Sequence, residues 1–262
     1  MLSGKQIASA RKEKGMTQAA LAAELGVSAE AVSKWEKDVY KPSPDNISAL
    51  YEILDIPSFE ENGRPADVRL FNEDHMSAFL KGKLNAGEYP EAVKAMSFAK
   101  EKHKGQFRKG PGNIPYISHP LTMACHAFAM GLDEDVLIAA LLLHDVAEDC
   151  EISVDELPVS AEVREIVALV TKPRGAFSES RYYEAIGKNP RASLVKCLDR
   201  CNNLSTMSVA FSPERMADYI EETEKYFPRL LKVVKECPEY NNAAWLLSYQ
   251  MKSLIQTAKR IV

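Results

Sequence analysis

Apolar residues recur at helical spacing along most of the chain, and short interruptions divide this pattern into segments. In the first 55 residues, Gly15, Gly26 and a Lys-Pro-Ser-Pro stretch break an alanine-rich pattern. Thr17, Ser28 and Asp45 carry side-chain oxygens that can cap a helix, and each stands where a segment opens. The pattern therefore predicts four short helices, near residues 3–14, 17–25, 28–37 and 45–55.

The rest of the chain is also helical in period but begins with an interruption. Residues 57–65 lack an apolar period and contain several helix breakers, which is typical of a linker. Loosely spaced apolar residues over 68–84 predict a connecting helix, and six or more helical segments follow from Pro90. Near the end, Trp245, Tyr249 and Met251 stand at helical spacing and predict the core side of a closing helix. The expected fold is all-α, with a four- to five-helix domain at 1–57, a linker and connecting helix at 58–88, and a helical domain at 89–262.

Composition excludes several classes of protein. Hydrophobic residues make up 46% and charged residues 27%, which is typical of a folded globular chain. The longest apolar run, at 136–143, is eight residues, far below the roughly 20 that span a membrane. Five cysteines without a C-x-x-C pair favour reduced thiols, and the amino terminus lacks an apolar signal core. We therefore expect a cytoplasmic protein without membrane contact. The net charge of −4 provides no overall basic field for nucleic acid.

The second and third predicted helices contain a specific motif, T-Q-x-x-L-A-x-x-L-G-V-S-x-x-x-V-S-K-W-E. A pair of helices joined by a short glycine turn can place the second helix in the major groove of DNA. The segment resembles the lambda-repressor/Cro-like (XRE) helix-turn-helix family over residues 7–54. The exposed edge that would face DNA is predicted to comprise Gln18, Ser28, Ala29, Ser33, Lys34 and Lys37.

Charge limits how such a head would bind. Residues 1–55 contain seven basic and eight acidic side chains, so a single head would neutralise few phosphates. We therefore expect binding to duplex DNA only as a homodimer on paired half-sites. The alternative is a small helical domain that only dimerises the protein.

In the second domain, ionisable residues directly follow an apolar helix. The run ending at Leu143 continues as His144-Asp145-Val146-Ala147-Glu148-Asp149. On one continuous helix, His144 and Glu148 would be neighbours, as would Asp145 and Asp149. Ionisable groups at the end of such a run are costly to desolvate unless they are paired or hold a cation. A solvated helix end is the alternative.

Two other segments favour a metal site. His119 ends a loop rich in glycine and proline, and Asp199 interrupts a later apolar helix. With His144 and Asp145, these residues make a set of two imidazoles and two carboxylates, which suits Mn, Fe or Zn. Such an ion can acidify water for attack at phosphorus, and Glu148 and Asp149 could orient or deprotonate that water.

The combined pattern is R-K-x-P-x-x-x-P-Y-I-x-H-P, then H-D-x-x-E-D, then D-R-x-x-N. It resembles the HD-type hydrolase domain of RelA/SpoT homologues, especially the small alarmone hydrolases, over residues 91–231. The resemblance implies a Mn2+-dependent enzyme, with other divalent metals possible, that removes the 3′-pyrophosphate of (p)ppGpp. It implies that the metal ligands are His119, His144, Asp145 and Asp199, that the catalytic residues are Glu148 and Asp149, and that Arg108, Lys109, Tyr116, Asn203 and Thr206 contact the substrate.

Three positions depart from the family pattern. Asn202 stands where many relatives have His, Ser205 where many have Arg, and Gly110 where the long enzymes have Ser. These positions concern the nucleotide pocket, so a different nucleotide such as NADPH is an alternative substrate. A transcription regulator that senses a nucleotide without turnover is a second alternative, although a sensor needs no intact general base. His103 matches a family position and could lie beside the site or on the surface.

Overall fold

The computed structural model describes residues 4–54, 72–110, 113–173 and 175–260, without the side chains of residues 44, 45, 48 and 52. The chain divides into two compact units, Met1–Leu70 and Phe71–Val262. In the described ranges the regular structure is helical, and the only pairing of extended backbone is an isolated bridge between Phe107 and Pro115. The prediction of an all-α fold is confirmed. The predicted linker at 57–65 lies outside the described residues.

The first unit contains four helices: α1 (Gly4–Glu13), α2 (Gln18–Leu25), α3 (Ala29–Glu36) and α4 (Pro44–Ile53). Thr17 and Ser28 cap α2 and α3, as predicted, and each accepts the backbone N–H of the third residue of its helix. Gly26 adopts φ +66 after α2, a backbone conformation that glycine supplies without strain, and this allows the tight turn into α3. Helix α4 begins one residue before the predicted cap at Asp45, and Ser43 Oγ accepts the N–H of Asn46.

An ion pair fastens α1 to α3 in the first unit. Arg11 donates from Nε to Oε1 of Glu36 at 2.6 Å and from a terminal nitrogen to Oε2 at 3.1 Å. The same guanidinium donates to the carbonyl of Met16 at 2.7 Å. Both side chains are about nine-tenths buried beside a small apolar core that includes Leu21 and Trp35. The pair therefore holds the helix-turn-helix against α1.

The second unit is a bundle of helices around one apolar core. The helices are α5 (Glu73–Ala86), α6 (Pro90–Lys102), α7 (Ser118–Ala129), α8 (Asp135–Leu143), α9 (Val146–Asp149), α10 (Ala161–Val170), α11 (Glu179–Ile186), α12 (Pro190–Ala210), α13 (Pro213–Glu236) and α14 (Asn241–Ala258). Its first helix, α5, packs on α7 and α6 through Leu80 and Leu84, so the predicted connecting helix belongs to this unit. Helix α8 is buried along its whole second half and contacts α6, α7, α10 and α12.

Two local expectations are wrong. The helix predicted to run through the His-Asp motif ends at Leu143, and a separate short helix begins at Val146, so His144 and Asp145 form a corner. Trp245 and Tyr249 are 68% and 65% exposed, whereas Met251 is buried. Residues 245 and 249 share one face of α14, and that face is offset from the one that carries the buried Leu247 and Met251. They line an open groove between α13 and α14 instead.

The Arg11–Glu36 pair yields a prediction about the stability of the first unit. Arg11→Met leaves the Glu36 carboxylate buried without its cation, so we expect the free energy of unfolding to fall by about 3 kcal/mol. Trp35 is buried in this unit, and its fluorescence in a Trp245→Phe background reports that unit alone. Denaturant titration measures the change. The exposed neighbour provides the control: Lys12→Met should shift stability by less than about 0.5 kcal/mol, and equal effects would contradict the account.

Candidate active site

Three separate helical segments bring the histidines and aspartates of the motifs to one place. His119 lies in the first turn of α7, and Asp199 lies in the middle of α12. His144 and Asp145 occupy the corner between α8 and α9. Because α8 packs against both α7 and α12, the corner at its end faces the inner sides of those helices.

The side-chain atoms converge closely. Nε2 of His119 lies 3.2 Å from Nε2 of His144 and 3.2 Å from Oδ1 of Asp199. Oδ2 of Asp145 lies 2.9 Å from Nε2 of His144 and 3.5 Å from Nε2 of His119. Both histidines are 2% exposed and Asp199 is 5% exposed, so water contributes little to their solvation. In the described part of the chain, His119, His144 and Asp199 form a group with the spacing of metal ligands.

Neighbouring acceptors fix which nitrogen of each imidazole faces the centre. Nδ1 of His119 lies 2.7 Å from the side-chain oxygen of Asn202, and Nδ1 of His144 lies 2.9 Å from the carbonyl oxygen of Leu141. Each oxygen can only accept, so Nδ1 carries the proton and Nε2 presents a lone pair. Such hydrogen bonds to Nδ1 are the usual way in which proteins orient a metal-binding histidine. Asn202, a departure from the family pattern, was expected in the nucleotide pocket; it is buried and orients His119 instead.

Asp199 is held by two further side chains of its own helix. Lys196 donates from Nζ to Oδ2 at 3.0 Å, and Asn203 donates from Nδ2 to Oδ1 at 2.6 Å. Burial opposes the charge of Asp199, but Lys196 outweighs it and holds the pKa of Asp199 well below its usual range. Lys196 is itself buried, and Asp199 raises its pKa well above the usual value. The pair therefore stays ionised inside the protein.

The donor set fits a divalent cation. Two imidazole Nε2 atoms and two carboxylate oxygens face one another at short distance, an arrangement that needs a positive charge between them, either a proton or a metal cation. Burial lowers the pKa of His144, but the carboxylates of Asp145 and Asp199 outweigh it and raise this pKa to about 9. That shift reports a strongly negative electrostatic potential at the point where the four groups meet. A cation bound there would balance it.

Tyr116 and His103 back the cluster on one side. Tyr116 donates from its hydroxyl to Oδ2 of Asp145 at 2.6 Å, and its ring stacks on His103 with centroids 4.7 Å apart. His103 is 2% exposed, so it lies beside the site and not on the surface. Burial lowers the pKa of His103 and favours its neutral form. Its Nδ1 lies 2.7 Å from the side-chain oxygen of Gln106.

Glu148 and Asp149 lie on α9, one turn beyond the corner, and both are exposed to the pocket. Oε2 of Glu148 accepts the backbone N–H of Lys172 at 3.1 Å. The surrounding protein desolvates the Glu148 carboxyl group and raises its pKa, and the Lys172 N–H moderates that rise. A raised pKa makes a carboxylate a stronger base near neutral pH.

A pocket of about 380 Å3 opens over the cluster. Arg108 donates from one terminal nitrogen to the side-chain oxygen of Asn203 at 3.0 Å and to Oγ1 of Thr206 at 3.1 Å. The five predicted substrate residues, Arg108, Lys109, Tyr116, Asn203 and Thr206, all line this pocket. Gly110 follows Arg108 and Lys109 with φ +112, and a Cβ there would lie 3.0 Å from the Val209 carbonyl oxygen. Glycine thus allows the loop to press against the end of α12.

Several pocket residues were not predicted from the sequence. Lys172 and Lys196 add positive charge, Arg215 lies over the Phe211 ring at 4.1 Å, and Tyr219 also lines the pocket. Lys196 stands three residues before Asp199 on the same helix, a spacing that could have indicated its contact. Arg215 comes from α13, and the sequence contains no local signal that α13 reaches the pocket.

In the first unit, the predicted DNA-binding edge has internal contacts. Nε2 of Gln18 donates to Oε2 of Glu36 at 2.8 Å, and Lys34 pairs with Glu30 at 2.7 Å. Ser28 is the α3 cap described above, while Ala29 and Lys37 are exposed and Ser33 is partly buried. The edge therefore carries a carboxylate, Glu30, beside its lysines.

Comparison with known proteins supports both resemblances. The HD domain family matches residues 95–231, and a helix-turn-helix family matches residues 7–60. The human guanosine-3′,5′-bis(diphosphate) 3′-pyrophosphohydrolase MESH1 is 32% identical over 155 residues, which cover 56% of this chain and 85% of that protein. A guanosine-3′,5′-bis(diphosphate) 3′-pyrophosphohydrolase of Aquifex aeolicus is 36% identical over 148 residues, covering 53% of this chain and 21% of that protein.

A solved structure agrees in fold. It is described as "A metazoan ortholog of SpoT hydrolyzes ppGpp and plays a role in starvation responses" and matches with a TM-score of 0.54 at 23% identity. The match covers 64% of this chain and 95% of that one. None of the helices in the described ranges is long and apolar enough to cross a membrane.

The HD domain match spans just over half of the chain, and the similarity covers most of the length of human MESH1. This chain therefore belongs to the HD domain family, as a phosphohydrolase of the MESH1-like kind that also carries an amino-terminal helix-turn-helix domain.

Proposed function

We propose that this protein is a divalent-metal-dependent hydrolase that removes the 3′-pyrophosphate from guanosine 3′,5′-bis(diphosphate). The observation that carries the proposal is the convergence of two imidazoles and two carboxylates beneath a pocket lined with cationic side chains. The names of the relatives support the choice of nucleotide. A pure sensor would not need the carboxylates of Glu148 and Asp149 beside this cluster.

His119, His144, Asp145 and Asp199 would hold the metal. We propose Mn2+ because the site offers imidazole nitrogens and carboxylate oxygens and no thiolate, and carboxylate oxygens suit Mn2+. A divalent ion in this position supplies Lewis-acid stabilisation of negative charge on a phosphoryl oxygen. Lys196 and Asn203 keep Asp199 in place, and Tyr116 does the same for Asp145.

Cationic side chains would bind the phosphates of the nucleotide. Arg108 is already oriented by Asn203 and Thr206, so little conformational entropy is lost when a phosphate arrives. Lys109 and Arg215 also line the pocket and add to its positive potential. Guanidinium and ammonium groups form strong charge-assisted hydrogen bonds with phosphate oxygens.

Glu148 would act as the general base. One of its oxygens is occupied by the Lys172 N–H, which leaves the other to take a proton from the attacking water. Asp149, on the same short helix, would orient that water. The water proton passes to Glu148 as the water oxygen attacks the phosphorus bonded to the 3′-oxygen. The bond between that phosphorus and the 3′-oxygen breaks, and a proton returns to the 3′-oxygen, so that pyrophosphate and GDP leave.

The helix-turn-helix unit gives the protein a second proposed partner. We propose that it binds duplex DNA as a homodimer, through Gln18, Ser28, Ala29, Ser33, Lys34 and Lys37. The helix-turn-helix match and the α2–turn–α3 geometry support this assignment. Such a head would couple the level of the nucleotide to transcription.

Two variants are expected to distinguish a loss of turnover alone from a loss of both metal and turnover. With Mn2+ and ppGpp, the wild-type protein should release pyrophosphate and leave GDP. Glu148→Gln should keep its metal but lose about 10²–10⁴ in rate, because only the base is removed. Asp199→Ala should lose both metal and turnover. Pyrophosphate-release assays and metal analysis of the purified proteins measure these effects.

Melting curves complete this experiment. Asp199→Ala also leaves Lys196 unpaired, so its stability should fall even without metal. The informative quantity is the rise in Tm when Mn2+ is added, which should remain in Glu148→Gln and vanish in Asp199→Ala. Release of phosphate from NADPH, with ppGpp untouched, would reject the proposed substrate. Full turnover of Glu148→Gln would remove Glu148 from the mechanism.

Arg108 should affect substrate binding more than metal content. Arg108→Ala removes a charge-assisted contact worth about 1.5–3 kcal/mol, so KM should rise roughly 10–100-fold. Metal content should stay at the wild-type level because Arg108 does not touch the cluster. The exposed Lys104→Ala serves as control. An unchanged KM together with lost metal would contradict the assignment.

DNA binding is expected to depend on salt and on the lysines of α3. Changing Lys34 and Lys37 together to Ala should weaken binding and reduce the slope of log affinity against log salt by about 2. Lys83→Ala, an exposed change on α5, should alter neither quantity. Gel shifts with one and two half-sites show whether two heads are needed. A protein that dimerises but binds no duplex would favour the dimerisation alternative.

A further inference from the structure

Glu222, on α13, connects three elements of the second unit. Its Oε2 accepts from a terminal nitrogen of Arg200 at 2.7 Å. Its Oε1 accepts from the hydroxyl of Tyr183 at 2.8 Å and from Nζ of Lys172 at 3.3 Å. One carboxylate thus joins α12, α11 and the segment that follows α10. No substrate or metal role was predicted for it.

The Arg200 end of this network is rigid. Arg200 is 2% exposed, and its guanidinium lies 3.7 Å from the ring centroid of Tyr219 and 4.6 Å from that of Phe227. It also donates to Oγ1 of Thr223 at 3.0 Å. A guanidinium enclosed by two rings and paired with a carboxylate has few alternative positions. Arg200, which follows the proposed ligand Asp199 on α12, therefore fixes the position of Glu222.

The Lys172 end leads to the candidate base. Lys172 follows Thr171, the C-terminal cap of α10, and has left the helical conformation. Its side chain pairs with Glu222, and its backbone N–H donates to Oε2 of Glu148. In the described part of the chain, that N–H is the one hydrogen-bonding partner recorded for the Glu148 carboxylate. Glu222 thus holds the side chain of Lys172, and the main chain of Lys172 holds Glu148.

We propose that Glu222 is a positioning residue for catalysis. By anchoring the Lys172 ammonium, it places the Lys172 N–H where that group fixes one oxygen of Glu148. The other oxygen of Glu148 is then aimed at the water over the metal site. This inference rests on the proposed function, in which Glu148 is the general base.

A rival role for Lys172 must be separated from this one. Lys172 also lines the pocket, so its ammonium could bind substrate phosphate directly. If it did, Lys172→Met would raise KM, and Glu222→Gln would not, because the freed ammonium could still reach the substrate. If Lys172 positions Glu148, both variants lower kcat and leave KM and metal content unchanged.

The kinetic experiment compares Lys172→Met, Glu222→Gln and the double variant. We expect kcat to fall about tenfold in each single variant and no further in the double variant, since both remove the same contact. Lys172→Arg, which keeps the ion pair, should restore most of the rate. The control is Glu221→Gln, an exposed carboxylate one residue earlier on α13, which should have wild-type kinetics. Additive losses, or a KM effect confined to Lys172→Met, would overturn the proposal.

A second measurement does not depend on turnover. The Lys172 amide is hydrogen-bonded to Glu148, so its exchange with deuterium, followed by NMR, should be slow in the wild type. Glu222→Gln and Glu148→Ala should each speed that exchange at least tenfold, and Glu221→Gln should not. If these two variants exchange faster but the wild type hydrolyses none of the tested nucleotides, the positioning contact is supported and the proposed function is rejected. Unchanged exchange in Glu222→Gln would reject the positioning role, whatever the enzyme does.

Discussion

The second unit is organised around negative charge placed inside an apolar bundle. Asp145 and Asp199 face two imidazole nitrogens in a part of the bundle where most of the surrounding side chains are buried and apolar. Isolated carboxylates in such surroundings cost several kcal/mol, so each must have a compensating partner. Lys196 compensates one oxygen of Asp199, and the remaining potential faces the point between His119 and His144. A cation bound at that point would offset this potential.

The network around the cluster extends this constraint outward. Arg200, beside Asp199, requires a carboxylate of its own, and Glu222 supplies it from α13. Glu222 in turn reaches Lys172, whose main chain meets Glu148. Structural ion pairs and the candidate base therefore share the same chain of contacts. Because buried networks of this kind have one well-satisfied arrangement, they fix the geometry of the site as well as the packing of the helices.

The sequence predicted the helices and the motif residues because both depend on local spacing. Thr17 and Ser28 cap helices as expected, and His119, His144, Asp145 and Asp199 come together. What failed depends on tertiary packing. Spacing alone cannot show that the chain turns a corner at His144, or which face of α14 packs on α13, so Trp245 was misassigned. The partners of Lys172 and Arg200 are far away in sequence, so local spacing could not predict these contacts either.

We expect one divalent ion to bind where the two imidazoles and two carboxylates meet. A crystal of the full chain grown with Mn2+, with diffraction recorded on both sides of the manganese absorption edge, tests this binding. One strong anomalous peak is expected in the second unit, within coordination distance of Nε2 of His119 and His144 and of carboxylate oxygens of Asp145 and Asp199. The absence of a peak there, or a peak bound by other residues, would contradict it.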